Sequence, residues 1–116
     1  MTPKEVNQMG LINELGIIID EAKAKKEWVV IVCPDAEVVS SCKRTLAGLI
    51  PGDAKFSGRT AVLNGSGKVS VVTATEDVFI EEPFAVSFIG WRSTDGNDGM
   101  LKWQQKAKRT IKSETY

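Results

Sequence analysis

The feature that most constrains the fold is an uninterrupted apolar run, Trp-Val-Val-Ile-Val-Cys, at Trp28–Cys33. Four of its six residues are β-branched, which favours a strand over a helix. A strand that is apolar at every position, instead of at alternate positions, is typical of the centre of a sheet covered by helices on both faces. The run therefore predicts a layered α/β domain built around this strand.

Helical patterns flank the run. Before it, six apolar residues recur at three- and four-residue spacing and predict one buried helical stripe: Val6, Met9, Ile12, Leu15, Ile19 and Ala22. After it, Asp35 is a natural N-cap for a second helix that ends before Pro51-Gly52.

The pattern then changes to strands. Lys55 to Leu63 and Lys68 to Thr75 predict a β-hairpin around Asn64-Gly65-Ser66-Gly67. Phe84 to Trp91 predicts a further strand, and Asp98 precedes a final basic helix over about 100–112. Together these elements predict a single α/β domain over residues 1–116, with a small mixed sheet of about four strands, flanked by three helices.

The composition excludes several function classes. The 116 residues contain no histidine, so catalysis by Ser-His or Cys-His pairs is excluded. Fifteen basic residues balance fifteen acidic ones, so no overall field attracts nucleic acid or an anionic membrane. No apolar run approaches the ~20 residues that cross a bilayer, and two cysteines suit a reducing compartment. We therefore expect a cytoplasmic protein with no membrane partner.

Part of the chain resembles a known family. The strand and Pro-containing turn at Val29–Asp35, the hairpin at Asn64–Thr73 and the strand at Phe84–Ile89 resemble part of a RecA-type nucleotide-hydrolase core, as in phage packaging ATPases and helicases. The phosphate loop of that family, Gly-x-x-x-x-Gly-Lys-Ser/Thr, is absent. Gly90-Trp91 stands where the family has Asp-Glu. The resemblance thus implies a degenerate scaffold that cannot hydrolyse ATP in the usual way, and it is consistent with a phage or mobile-element origin.

The main candidate binding surface is basic. We take it to comprise Lys102, Lys106, Lys108, Arg109 and Lys112, with Trp91 and Arg92 as further contact residues. In a helix Lys102, Lys106 and Arg109 share one face, which could neutralise a few phosphates or meet an acidic protein. An ordinary solvated helix face is the alternative.

Three other features have a structural and a functional interpretation. Gly65-Ser66-Gly67-Lys68 is a hairpin turn or a phosphate loop, and the strand-like residues after it favour the turn. Cys33 is a buried strand end or a reactive thiol at a helix start, whereas Cys42 belongs to the core. The third feature is an acidic segment, which is either a solvated loop or a cation site. Its acidic residues are Glu76, Asp77, Glu81 and Glu82.

We predict a non-catalytic protein-interaction or regulatory accessory factor that binds another protein, with homo-oligomerisation open and no metal or cofactor expected. Two alternatives remain: a nucleic-acid-binding module that uses the basic C-terminal residues, and a small nucleotide-binding or carboxylate-dependent enzyme.

Overall fold

A computed structural model describes residues 3–49, 54–57, 60–63, 67–75, 80, 83–91 and 98–111. Within these ranges the helices are α1 (Pro3–Lys25), α2 (Ala36–Leu49) and α3 (Asp98–Lys106). The strands are β1 (Trp28–Cys33), β2 (Ala54–Ser57), β3 (Thr60–Leu63), β4 (Lys68–Thr73), β5 (Phe84–Phe88) and β6 (Arg109–Ile111).

The six strands of the described residues form one mixed sheet in the order β2-β3-β4-β1-β5-β6. β1 lies inside the sheet and pairs in parallel with β4 and β5, and β5 pairs in parallel with β6. β2, β3 and β4 are antiparallel neighbours. The predicted α/β class, mixed sheet, central strand, β-hairpin and three helices are confirmed.

The sheet has more strands than the roughly four expected, and one reason lies in residues 54–63. This segment, read from the sequence as a single strand, contains the antiparallel pair β2 and β3, with Ser57 opposite Thr60. Only two residues separate these partners, and one of them is Gly58, the residue type that tight hairpins favour.

The second difference is at the C-terminal end, where the expectation of a helix to about Lys112 was wrong. α3 ends at Lys106, and the backbone N–H of Lys108 donates a 2.9 Å hydrogen bond to the carbonyl of Phe84. This bond leads the chain into the parallel pairing of β6 with β5. The exposed edge of β5 offered backbone partners that helical periodicity in the sequence could not reveal.

The sheet buries apolar residues on both of its faces. α1 and α2 cover one face, where Val29, Ile31 and Cys33 of β1 point, and α3 packs on the other, with Val30 and Val32. These five side chains of β1 are fully buried. Each large aliphatic side chain removed from water contributes about 1.5–3 kcal/mol, so β1 contributes to the core on both faces of the sheet.

The predicted stripe of the first helix is partly correct. Its buried apolar residues within the described side chains are Leu15, Ile18, Ile19 and Ala22. Ile12 lies instead on the exposed side, and Ile18 takes a core position. Residues Val6 and Met9 of the predicted stripe lie outside the described side chains.

α1 ends in a cap that contains a non-glycine residue. The N–H of Glu27 donates to the carbonyl of Ala22 at 3.2 Å, while Lys26 has a positive φ of 51°. This is the Schellman arrangement, in which glycine usually occupies the left-handed position. The cap turns the chain directly into β1.

Candidate functional site

The predicted basic surface is divided by the structure. Lys102 and Lys106 are exposed on α3, but Arg109 belongs to β6, so the three do not share one helix face. Lys106 Nζ lies 5.3 Å from the centre of the Trp103 ring. Arg92 and Lys112 lie outside the described residues. The expected continuous cationic face required a helix to about Lys112, whereas α3 ends at Lys106.

Trp91 is a core residue, not a surface contact. It is 6% exposed, and its indole N–H donates a 2.9 Å hydrogen bond to the carbonyl of Val32. Its ring meets Phe88 edge to face, with centroids 6.2 Å apart. This leaves little of the side chain for a partner.

Two of the predicted binding cations belong to a buried ion cluster, which we call the Glu27 cluster. The carboxylate of Glu27 is 4% exposed and accepts a hydrogen bond from Arg109. Lys108 Nζ lies 2.8 Å from its other oxygen. Arg109 also donates to Glu21 at 2.8 Å, and Lys25 lies 3.4 Å from that second carboxylate. The cluster joins β6 to the end of α1 and the start of β1.

The cluster shifts both carboxylates towards their charged forms. The hydrogen bond from Arg109 is the largest cause that holds the pKa of Glu21 below its ordinary value. Burial raises the pKa of Glu27, but the hydrogen bonds from Lys108 and Arg109 lower it by more, and the net shift is downward. Burial lowers the pKa of Arg109, yet its two carboxylate partners raise it overall. These shifts favour the charged forms of Glu21, Glu27 and Arg109.

The sequence analysis missed this cluster because its members come from α1, the α1–β1 turn and β6. Glu21 and Glu27 are ordinary surface-type residues in the sequence, and their shared partner Arg109 lies more than eighty positions away. One sequence signal was present: Glu27 directly precedes the buried strand, where a charge needs a partner.

β1 and β5 are neighbours in the sheet, and the chain segments that follow them run towards opposite edges of the sheet. β1 leads through α2 towards β4, whereas β5 leads through α3 towards β6 on the other side. In open α/β sheets this position is a common ligand crevice. Here Gly90, with φ 82°, lies so close to α2 that a Cβ would be 2.6 Å from a methyl of Val38. Val38 therefore fills the space beside this glycine.

Asp35 acts as the predicted N-cap of α2. Its Oδ1 accepts a 3.0 Å hydrogen bond from the N–H of Val38. That interaction satisfies one of the unpaired amide donors at the helix start. The carboxylate thus has a structural partner in the first turn.

The hairpin interpretation of Gly65-Ser66-Gly67-Lys68 is confirmed by the pairing on either side of it. β3 and β4 are antiparallel, and the N–H of Leu63 donates to the carbonyl of Gly67 at 2.8 Å. Lys68 begins a strand, whereas a phosphate loop must lead into a helix.

The acidic group Glu76, Asp77, Glu81 and Glu82 lies outside the described residues. Within the described part of the chain, no group of three or more His, Cys, Asp and Glu side chains is arranged to hold a metal ion. No helix in the same ranges is long and apolar enough to cross a membrane.

The two cysteines are fully buried and lie beside each other. Cys33 is the last residue of β1, Cys42 lies on the sheet side of α2, and their Sγ atoms are 3.9 Å apart. The interpretation of both as core residues agrees with their burial. Their mutual contact was not visible in the sequence.

One exposed surface carries two large apolar side chains that lie outside the core, Ile12 and Ile17. Ile12, Gly16 and Asp20 lie four residues apart on α1, and Asn13 and Ile17 form the adjacent row. We call these five residues the outer face of α1. Ile12 is 41% and Ile17 56% exposed. A Cβ at Gly16 would meet no atom within 4 Å, so the space beside the glycine is open.

No family model, curated protein or solved structure matches this chain.

Proposed function

We propose that this protein is a non-catalytic interaction or regulatory accessory factor that binds another protein through the outer face of α1. The observation that carries the proposal is the exposure of Ile12 and Ile17 on a helix whose opposite side is already buried in the core. A surface helix normally presents polar residues to water. Asp20 is the only charged member of this face.

The energetics favour a covered state. Fully burying an isoleucine side chain is worth about 1.5–3 kcal/mol, so covering the exposed half of Ile12 or Ile17 would contribute about 1 kcal/mol each. Because Gly16 has no side chain and open space beside it, a partner side chain can approach the helix backbone closely there. Several contacts of this size, around a small apolar centre, are what a modest protein interface requires.

Five charged residues of the described ranges have structural partners, which favours a binding role over a catalytic one. Glu21, Glu27, Lys108 and Arg109 neutralise one another, and Asp35 caps α2. The chain resembles a RecA-type scaffold but lacks its phosphate loop. This combination is consistent with an accessory protein of phage or mobile-element origin.

The test uses a pair of matched substitutions. Ile17→Lys places a charge on the outer face of α1, and Leu101→Lys places one on α3, on the opposite side of the sheet, where Leu101 is similarly exposed at 51%. Both variants should keep wild-type stability. Light scattering after size exclusion measures self-association, and quantitative mass spectrometry after crosslinking measures other partners. Ile17→Lys should lose the association that Leu101→Lys retains; identical behaviour of the two variants refutes the proposal.

A second candidate function is nucleic-acid binding through Lys102 and Lys106, which are exposed four residues apart on α3. Two phosphate contacts give a log–log salt slope of about −2, or a loss of roughly tenfold between 50 and 200 mM salt. This small contribution makes it the weaker candidate. Fluorescence anisotropy with labelled DNA tests it: Lys102→Glu/Lys106→Glu should abolish binding, while Lys43→Glu/Arg44→Glu on α2, with the same charge change, should not.

A further inference from the structure

The buried cysteines form a pair whose geometry goes beyond core packing. Their Sγ atoms are 3.9 Å apart, and a disulfide has an S–S length of about 2.05 Å. Closing the bond therefore requires the sulfurs to approach by about 1.9 Å. This approach can be shared between side-chain rotation and a small movement of α2.

The elements that carry the thiols can accommodate such a movement. β1 is fixed in the sheet between β4 and β5, whereas α2 begins only three residues after Cys33. Val38, near the start of α2, lies against Gly90, which follows β5. A shift of α2 would therefore also move the contact at the carboxyl end of β5. The pair thus couples the interior of the protein to that edge of the sheet.

We propose that Cys33 and Cys42 are an oxidation site that closes to an intramolecular disulfide under mild two-electron oxidants. With a diazene such as diamide, both S–H bonds break and one S–S bond forms. The two electrons and two protons reduce the N=N bond to a hydrazine. With a hydroperoxide, one sulfur is first oxidised to the sulfenic acid, and the second thiol then displaces water.

The bond would tie α2 to the last residue of the central strand. Both thiols are buried, so the oxidant reaches them through local opening of α2 rather than at a static surface. Once formed, the cross-link prevents the helix from leaving β1, and it also restricts the unfolded chain. We therefore expect oxidation to raise the urea midpoint of unfolding and a thiol reductant to restore it.

The experiment begins with the folded wild-type protein and diamide. After quenching, the protein is unfolded, treated with N-ethylmaleimide and weighed by mass spectrometry. The expected product has lost about 2 Da, corresponding to two hydrogens removed on disulfide formation, takes up no maleimide, and migrates as a monomer on a non-reducing gel. Cys33→Ser and Cys42→Ser should each keep one alkylatable thiol and show no such loss.

Two outcomes overturn the proposal, and both are read on the wild-type protein, so they do not depend on whether the serine variants fold. One is two maleimide adducts after diamide treatment that oxidises a reference dithiol peptide. The other is a disulfide found only in covalent dimers. A urea midpoint that falls on oxidation would refute the stabilising link between α2 and β1.

Discussion

The Glu27 cluster allows a prediction whose magnitude follows from the exposure of each partner. In Arg109→Met, Glu27 keeps its buried charge but loses its guanidinium partner, and Lys108 is the cation that remains beside it among the described residues. Breaking a buried ion pair from one side costs about 3–5 kcal/mol. Because Lys108 stays 2.8 Å from the carboxylate, we expect the lower end, about 3 kcal/mol.

The reciprocal change should cost less. Glu27→Gln removes the buried charge itself, and Arg109 keeps its 2.8 Å hydrogen bond to Glu21. The side chains of Lys108 and Arg109 are 46% and 32% exposed, so water can solvate both. Hydrogen bonds to charged groups are worth about 1.5–3 kcal/mol, and we expect a loss of about 2. Glu21→Gln, at a more exposed carboxylate, should cost under about 1 kcal/mol.

The assay is urea unfolding followed by tryptophan fluorescence, since Trp28, Trp91 and Trp103 all contact the core. The expected order of destabilisation is Arg109→Met, then Glu27→Gln, then Glu21→Gln. Arg109→Met/Glu27→Gln should cost less than the sum of the single changes, because the double variant leaves no buried unpaired carboxylate. Additive effects, or a loss below about 0.5 kcal/mol for Arg109→Met, would refute the assignment of a buried cluster.

The same cluster predicts the pH dependence of stability. The folded-state pKa of Glu21 and of Glu27 lies below the ordinary value, so each contributes stability that is present above the unfolded-state pKa of about 4.3. That contribution is lost as the pH falls through the lower, folded-state pKa. The free energy of unfolding should therefore decline below about pH 5, and less steeply in Glu27→Gln; an equal decline in the variant would contradict the argument.

Four further substitutions test the backbone and the core by urea unfolding. Lys26→Gly should stabilise the protein by about 0.5–1 kcal/mol, because it relieves the left-handed φ at the end of α1; a loss of stability would argue against that conformation. Gly90→Ala should cost at least about 2 kcal/mol, from its positive φ and the approach of Val38, whereas Gly16→Ala, in open space on a helix, should gain up to about 1 kcal/mol. Ser87→Ala should be neutral or stabilising by up to about 1 kcal/mol, because the Ser87 hydroxyl is buried with no hydrogen-bond partner among the described residues; a clear loss would indicate a partner for that oxygen.

The elements whose signal is local could be predicted from the amino-acid sequence alone. The apolar run of β1 predicted a central strand, because every position of it needs cover on both faces. Asp35 predicted the start of α2, and the glycine-rich turn before Lys68 predicted the hairpin of β3 and β4. In each case the signal lies in residues that are close together in the chain.

The structure of the basic C-terminal residues could not be predicted from the sequence, because it depends on long-range contacts. Their spacing suits a helix, but the open edge of β5 draws Arg109–Ile111 into β6, and distant Glu21 and Glu27 then bind Arg109. The contact between Cys33 and Cys42 and the exposure of Ile12 likewise depend on how α1 and α2 pack on the sheet. Sequence periodicity indicates which residues share one side of a helix or strand. Long-range backbone pairing and burial determine which other element packs against that side.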